Sequence, residues 1–123
     1  MQYSNIAKMA EQNENFRKVL FTNKHSQVVL MSLNPGEDIG LETHEHNDQI
    51  LYFVSGSGTA KVNGEDHAIS EGDVVDVPAG AEHNFSNTGD SPMKLFTVYA
   101  PPEHEAGTIH ETKAEAMIDE GAE

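Results

Sequence analysis

The chain has 123 residues, with 7 Lys plus Arg against 21 Asp plus Glu and no Cys, which leaves a formal net charge of −14 with His neutral. At this length a chain buries roughly two-thirds of the surface its unfolded state exposes, so one core is feasible and a second domain is not. So negative a surface repels phosphate backbones and anionic headgroups, which argues against nucleic acid or membrane partners, and the absence of thiols excludes disulfide frameworks, thiolate metal sites and Cys nucleophiles.

In chain order, Ile6, Ala7, Met9 and Ala10 are spaced as a short helix needs, and no Gly or Pro interrupts residues 6–15. Residues 1–15 are therefore expected to form an N-terminal helical segment. Glu11 and Glu14 with no apolar run exclude a secretory signal there, and no stretch of about 18 apolar residues follows, so the expected location is cytoplasmic. Residues 16–102 carry recurrent turn signals, among them Asn34-Pro35-Gly36, Gly56-Ser57-Gly58, Glu71-Gly72-Asp73 and Pro78-Ala79-Gly80. The runs between them predict strands at Lys18–Thr22, Gln27–Leu33, Gln49–Ser55, Thr59–Val62, His67–Ile69, Asp73–Val77, His83–Asn87 and Met93–Ala100. Asn63-Gly64 joins two of these runs through two residues that tolerate positive φ, the recipe for a tight hairpin. Many short strands without a helical period indicate an all-β antiparallel sandwich or barrel. Residues 103–123 are acidic. Thr112 followed by Glu115 is a capping-box pattern opening a helix over residues 113–120, with Gly121 as its stop, and the composition reads as a solvated helix.

Seven His are many for this length. His44 and His46 share one face if that stretch is extended, as two ligands of one metal must. A larger spacing is more specific. From Gly36, five residues lead to Glu42, one to His44, four to Gln49 and six to Gly56; from Gly72, five lead to Pro78, one to Gly80, two to His83 and three to Asn87. These two blocks resemble the two motifs of the cupin superfamily over roughly residues 34–100. The second block matches at every position, whereas the first departs at two chemical positions, with Glu42 for the usual His and Gln49 for the usual Glu. The segment Leu95–Pro102 with Glu103-His104 is similar to a subgroup of short bacterial cupins, some loosely labelled as relatives of mannose-6-phosphate isomerase.

The resemblance implies a double-stranded β-helix, a jelly-roll barrel over residues 16–102 with a pocket in its mouth and one divalent transition metal. Carried over residue by residue, it implies Glu42, His44, Gln49 and His83 as ligands, with His46 outside the set. Two imidazoles and two oxygens suit Zn, Ni, Fe, Mn or Co without choosing among them, and the paired exchanges leave the ligand charge at −1. A set using His44, His46, Gln49 and His83 also satisfies strand alternation, but displaces two ligands by about 6.6 Å along a strand. His83 bonded to a backbone carbonyl and Gln49 satisfying polar groups inside the barrel is the plain structural alternative. His25 and His67 are expected to be exposed, and His104 and His110 lie in a segment able to fold back as ancillary ligands.

Two functions fit these residues. One is a metal-dependent enzyme for a small polar metabolite such as a sugar or a keto or hydroxy acid, an isomerase or lyase in preference to a dioxygenase. Glu45, His46 and Tyr52 are then candidates for the general base. The other is a non-catalytic module binding a metabolite or metal in the same pocket. Val19, Leu20, Phe21, Val28, Val29 and Leu30 supply more apolar strand surface than a small barrel needs, which predicts a homodimer.

Overall fold

A computed structural model of the chain describes residues 1–120. Helix α1 (Ile6–Gln12) precedes ten strands: β1 (Arg17–Thr22), β2 (Gln27–Leu33), β3 (Glu42–Thr43), β4 (Asp48–Ser55), β5 (Ser57–Val62), β6 (Glu65–Ser70), β7 (Val74–Val77), β8 (Glu82–Asn87), β9 (Met93–Ala100) and β10 (Ile109–His110); α2 (Lys113–Glu120) follows. All pairings are antiparallel, in a large sheet of order β10-β1-β2-β9-β4-β7 and a small sheet of order β3-β8-β5-β6. The predicted all-β class and all eight predicted strands are present. Alternation turns Val29, Met31, Leu33, Leu51, Phe53 and Leu95 of the large sheet inward against Ala60, Ile69 and Phe85 of the small one, and these form the core.

The hairpin at Asn63-Gly64 forms as expected: Val62 pairs with Glu65, and the two turn residues have φ of 49° and 82°. Gly56 combines φ +93° with a site where a Cβ would come within 2.8 Å of the Met93 backbone, so this turn admits no side chain. Helix α1 is shorter than its sequence pattern. The side chain of Asn13 accepts from Asn15 N at 3.1 Å and donates to Asn15 O at 2.9 Å, a local closure that competes with the helix and ends it at Gln12.

Two further features differ from expectation. β3 ends at Thr43, so strand alternation does not run on through His44 and His46. β10, absent from the predicted elements, pairs its two residues with the start of β1. α2 has Thr112 capping the amide of Glu115 at 3.1 Å and is exposed over most of its length, with Ala116 alone buried in the core. Its N-terminal Lys113 pairs with Asp38, which bridges to Ser86 of the small sheet, and its C-terminal Glu120 pairs with Arg17 of the large sheet. The helix thus spans the seam between the sheets. The expected stop at Gly121 lies outside the described residues.

Candidate functional site at the barrel mouth

The site begins with a row of paired residues. Gln27 of β2, Tyr99 of β9 and Gln49 of β4 are cross-strand neighbours, all inward and all buried. Gln49 donates from Nε2 to Thr97 Oγ1 at 3.1 Å and to the Tyr99 hydroxyl at 3.2 Å, while its Oε1 is buried without a partner. Burial pushes the Tyr99 phenol well above its ordinary range, so it stays protonated.

The small sheet supplies the facing wall. Glu42 of β3 and His83 of β8 are directly paired, and Phe85 backs His83 with ring centroids 5.9 Å apart. His83 Nδ1 lies 2.9 Å from Ala81 O; a carbonyl only accepts, so Nδ1 carries the proton. Burial lowers the basicity of His83 and keeps it neutral, which leaves Nε2 with a free lone pair. The turn that presents this strand is held by the Gly80 amide donating to His44 O at 2.9 Å.

His44 stands between the walls, 5.2 Å from the His83 ring and 5.7 Å from the Tyr99 ring, centroid to centroid. Its Nε2 faces Glu42 Oε2 and its Nδ1 faces Glu103 Oε2, both at 3.4 Å. The bond to Glu103 outweighs desolvation and raises the basicity of His44; in return the carboxyl of Glu103 is lowered. Burial raises the carboxyl of Glu42 despite the nearby imidazole.

Glu103 and His104 form a roof over this row, and Gln27 holds them there. Gln27 Oε1 accepts from the amides of both residues at 3.2 and 3.0 Å, and its Nε2 donates to His104 O at 2.7 Å. The His104 ring meets Tyr99 edge-on at 5.3 Å with Nε2 buried and unpartnered, and burial lowers its pKa to about 4.

The four predicted ligand positions are thus linked as neighbours: Glu42 beside His83 and His44, His44 beside His83 and Tyr99, and Gln49 bonded to Tyr99. Among the described residues, however, no three His, Asp or Glu side chains converge as a metal cluster. His46 is exposed in the loop before β4, as is Glu45; Tyr52 stacks on Phe96 on the outer face of the large sheet, 5.3 Å between centroids. None of the three general-base candidates faces the pocket. His25 and His67 are exposed, as expected. His110 is buried but turned to Arg17 and Asp119 rather than to His44. The residues that sequence reasoning passed over are Arg17, Glu103 and Tyr99, whereas His104 does lie in a segment folded back over the barrel. Arg17 carried a usable signal, since it shares strand parity with the inward Val19.

Residues 29–99 match the Cupin_2 family of cupin domains. The chain belongs to the cupin family. Over 122 residues it is 49% identical to the uncharacterized protein YrkC of Bacillus subtilis, covering 94% of this chain and 66% of that protein. The oxalate-binding protein of Thermotoga maritima is 36% identical over 76 residues, 62% of this chain and 63% of that protein. This cupin thus spans about two-thirds of the length of these relatives. Among solved structures, BH2720 of Bacillus halodurans superposes with a TM-score of 0.93 at 43% identity, covering 94% of this chain and 92% of that one. The double-stranded β-helix expected from the motifs is the observed fold, and no helix among the described residues is long and apolar enough to cross a membrane.

Proposed function

We propose that the barrel mouth is a small-molecule site in which Glu42, His44, Gln49 and His83 hold one divalent transition metal. The observation that carries this reading is the setting of His44. Two ligands bonded to one ion at 2.0–2.1 Å and at a tetrahedral angle lie about 3.4 Å apart, and His44 Nε2 lies 3.4 Å from Glu42 Oε2. The Nδ1 of the same ring is backed by Glu103, the carboxylate partner that orients metal-bound imidazoles in general. His83 Nε2 and Gln49 Oε1, both without a protein hydrogen-bond partner, match the remaining donors in kind. Side-chain rotation closes the set, and a bound ion supplies Lewis acidity toward a carbonyl or hydroxyl.

The substrate is a small polar metabolite such as a sugar or a keto or hydroxy acid, and the reaction class is isomerisation or lyase chemistry. The protein's share of that chemistry is to orient the ligand between the Tyr99 hydroxyl and the roof, with Glu103 holding the His44 ring in place. Metal content by mass spectrometry and zinc titration test the site. Glu42→Ala is expected to lose zinc and His46→Ala to keep it; the reverse result overturns the assignment in favour of the shifted set.

A second reading, a non-catalytic binding module, is favoured by one observation: both pocket carboxylates, Glu42 and Glu103, are already turned to His44. The Thermotoga relative is likewise described as a binding protein. Following a panel of sugar phosphates and keto acids by NMR with the zinc-loaded protein separates the two, since only an enzyme converts a panel member.

Pairing into a homodimer belongs to the same proposal. Val19 and Val29 lie in the core, and Leu30 is buried beside Met9 of α1, so the protein itself absorbs half of the apolar surplus noted near the N-terminus. Ile50 and Val74, 46% and 63% exposed on the large sheet, supply a face for a second copy. Light scattering is expected to give twice 13.4 kDa; the monomer mass overturns the dimer.

A further inference from the structure

Arg17 is the one fully buried cation of the described residues, 1% exposed at the inward-facing start of β1. Its Nη1 donates to Glu120 Oε1 at 3.1 Å and lies 3.2 Å from His110 Nδ1, but its Nε is buried with no partner. A guanidinium held this deep normally has its fork filled, since an unmade bond to a buried charge is costly. Its single anionic partner is weakly placed: the Glu120 side chain is 47% exposed, at the far end of an eight-residue helix. The helix that carries this partner has two turns and little stability of its own.

The pocket lies beside the partner of this cation, because Glu120 shares a cleft with Glu42 and Glu103, the two carboxylates turned to His44. Along α2, a cleft of about 500 Å³ runs from Lys113, Met117 and Glu120 to Glu42 and Glu103. The seam under α2 is therefore a side entrance that leads past Glu120 to the candidate site.

We infer that Arg17 anchors the carboxylate of a small-molecule ligand, and that Glu120 fills this anchor in the free protein and yields it when a ligand enters along the seam. The occupant already present is a carboxylate, which fixes the kind of group that fits. A guanidinium with Nε and one Nη available takes two carboxylate oxygens side by side, a match that a hydroxyl or an amide cannot make. Glu42 and Glu103 at the cleft oppose a phosphate dianion more strongly than a carboxylate monoanion. The inference rests on the barrel mouth being a small-molecule site and adds the ligand's charge and its anchor.

The experiment uses the full chain freed of metal with EDTA, titrated with lactate, with lactamide as its neutral match, and with inorganic phosphate, each followed by NMR chemical shifts. Lactate is expected to bind and lactamide not to bind. Glu120→Gln removes the internal competitor and is expected to tighten lactate binding about tenfold. Arg17→Lys keeps the charge but loses the fork and is expected to weaken it by a similar factor. Unchanged or weaker lactate binding by Glu120→Gln overturns the inference, and this exposed position leaves the fold intact. Equal binding of lactamide, or phosphate binding tighter than lactate, overturns the ligand class. Because no metal is present, a negative result leaves the zinc titrations untouched, and loss of zinc binding in Glu42→Ala leaves the Arg17 anchor standing.

Discussion

The two sides of the pocket are held by different forces. On the sheet side, Gln49, Thr97, Tyr99 and His83 are fixed by strand register and closed in by the core, each at most 3% exposed. On the seam side, Glu42, His44 and Glu103 are held by charge, with the two carboxylate side chains 30% exposed, and α2 is tied down by an ion pair at each end. Burial fixes geometry at the cost of adjustability, whereas partly exposed charges are worth little each and rearrange easily. A ligand therefore meets one wall that is preformed and one that can yield.

The largest effect expected from breaking this contrast is on the sheet side. Phe85 is fully buried and packs on both Phe53 and His83. Phe85→Ala is expected to cost about 3–5 kcal/mol in urea unfolding and to loosen His83, seen as broadening of its imidazole NMR signals.

Next comes the roof. His104 has its pKa lowered from 6.5 to about 4 by burial, so as pH falls the unfolded chain takes up the proton first. Its contribution to stability is complete above pH 6.5 and is lost progressively toward pH 4. Chemical unfolding at pH 7 and pH 5 is expected to show a smaller loss in His104→Gln than in the parent protein; an equal loss means that His104 is not buried neutral.

Effects on the seam side are smaller. Thr112→Ala removes the bond to the Glu115 amide and is expected to cost about 1 kcal/mol of α2 docking. It speeds hydrogen exchange over residues 113–120 and leaves β2 and β9 unchanged. Smallest is Glu120→Gln, which keeps a side-chain oxygen able to accept from Arg17 Nη1 at an exposed position and is expected to change global stability by about 1 kcal/mol in thermal unfolding.

The same contrast explains what could be read from the sequence. The sheet side follows from alternation and turn chemistry, both local. Gln49 and His83 thus sat on predicted strands at recognisable spacings from Gly56 and Gly80, and Asn63-Gly64 announced its hairpin. The spacing from Gly36 also brought Glu42 and His44 to the same pocket, although alternation, which would have carried His46 with them, stops at Thr43. The fold-back of the His104 segment was anticipated, but Glu103 and the clasp that holds both were not legible because no local pattern marks them; their position depends on Gln27, more than 70 residues earlier. The helix over residues 113–120 was legible from its cap and is largely solvated as its composition reads, but its end contacts, Lys113 to Asp38 and Glu120 to Arg17, exist only in the closed barrel.

The clasp between Gln27 and the roof has a consequence for how the protein comes into being. Gln27 leaves the ribosome early and waits, 0% exposed in the finished fold, for carbonyl and amide groups made some 76 residues later. Strands β1 to β9 all precede residue 103 in the chain, so Gln27 is made well before the groups that will satisfy it. The pocket is completed only once residues 103–104 are added, so a chain cut at residue 102 keeps β1 to β9 but has no roof.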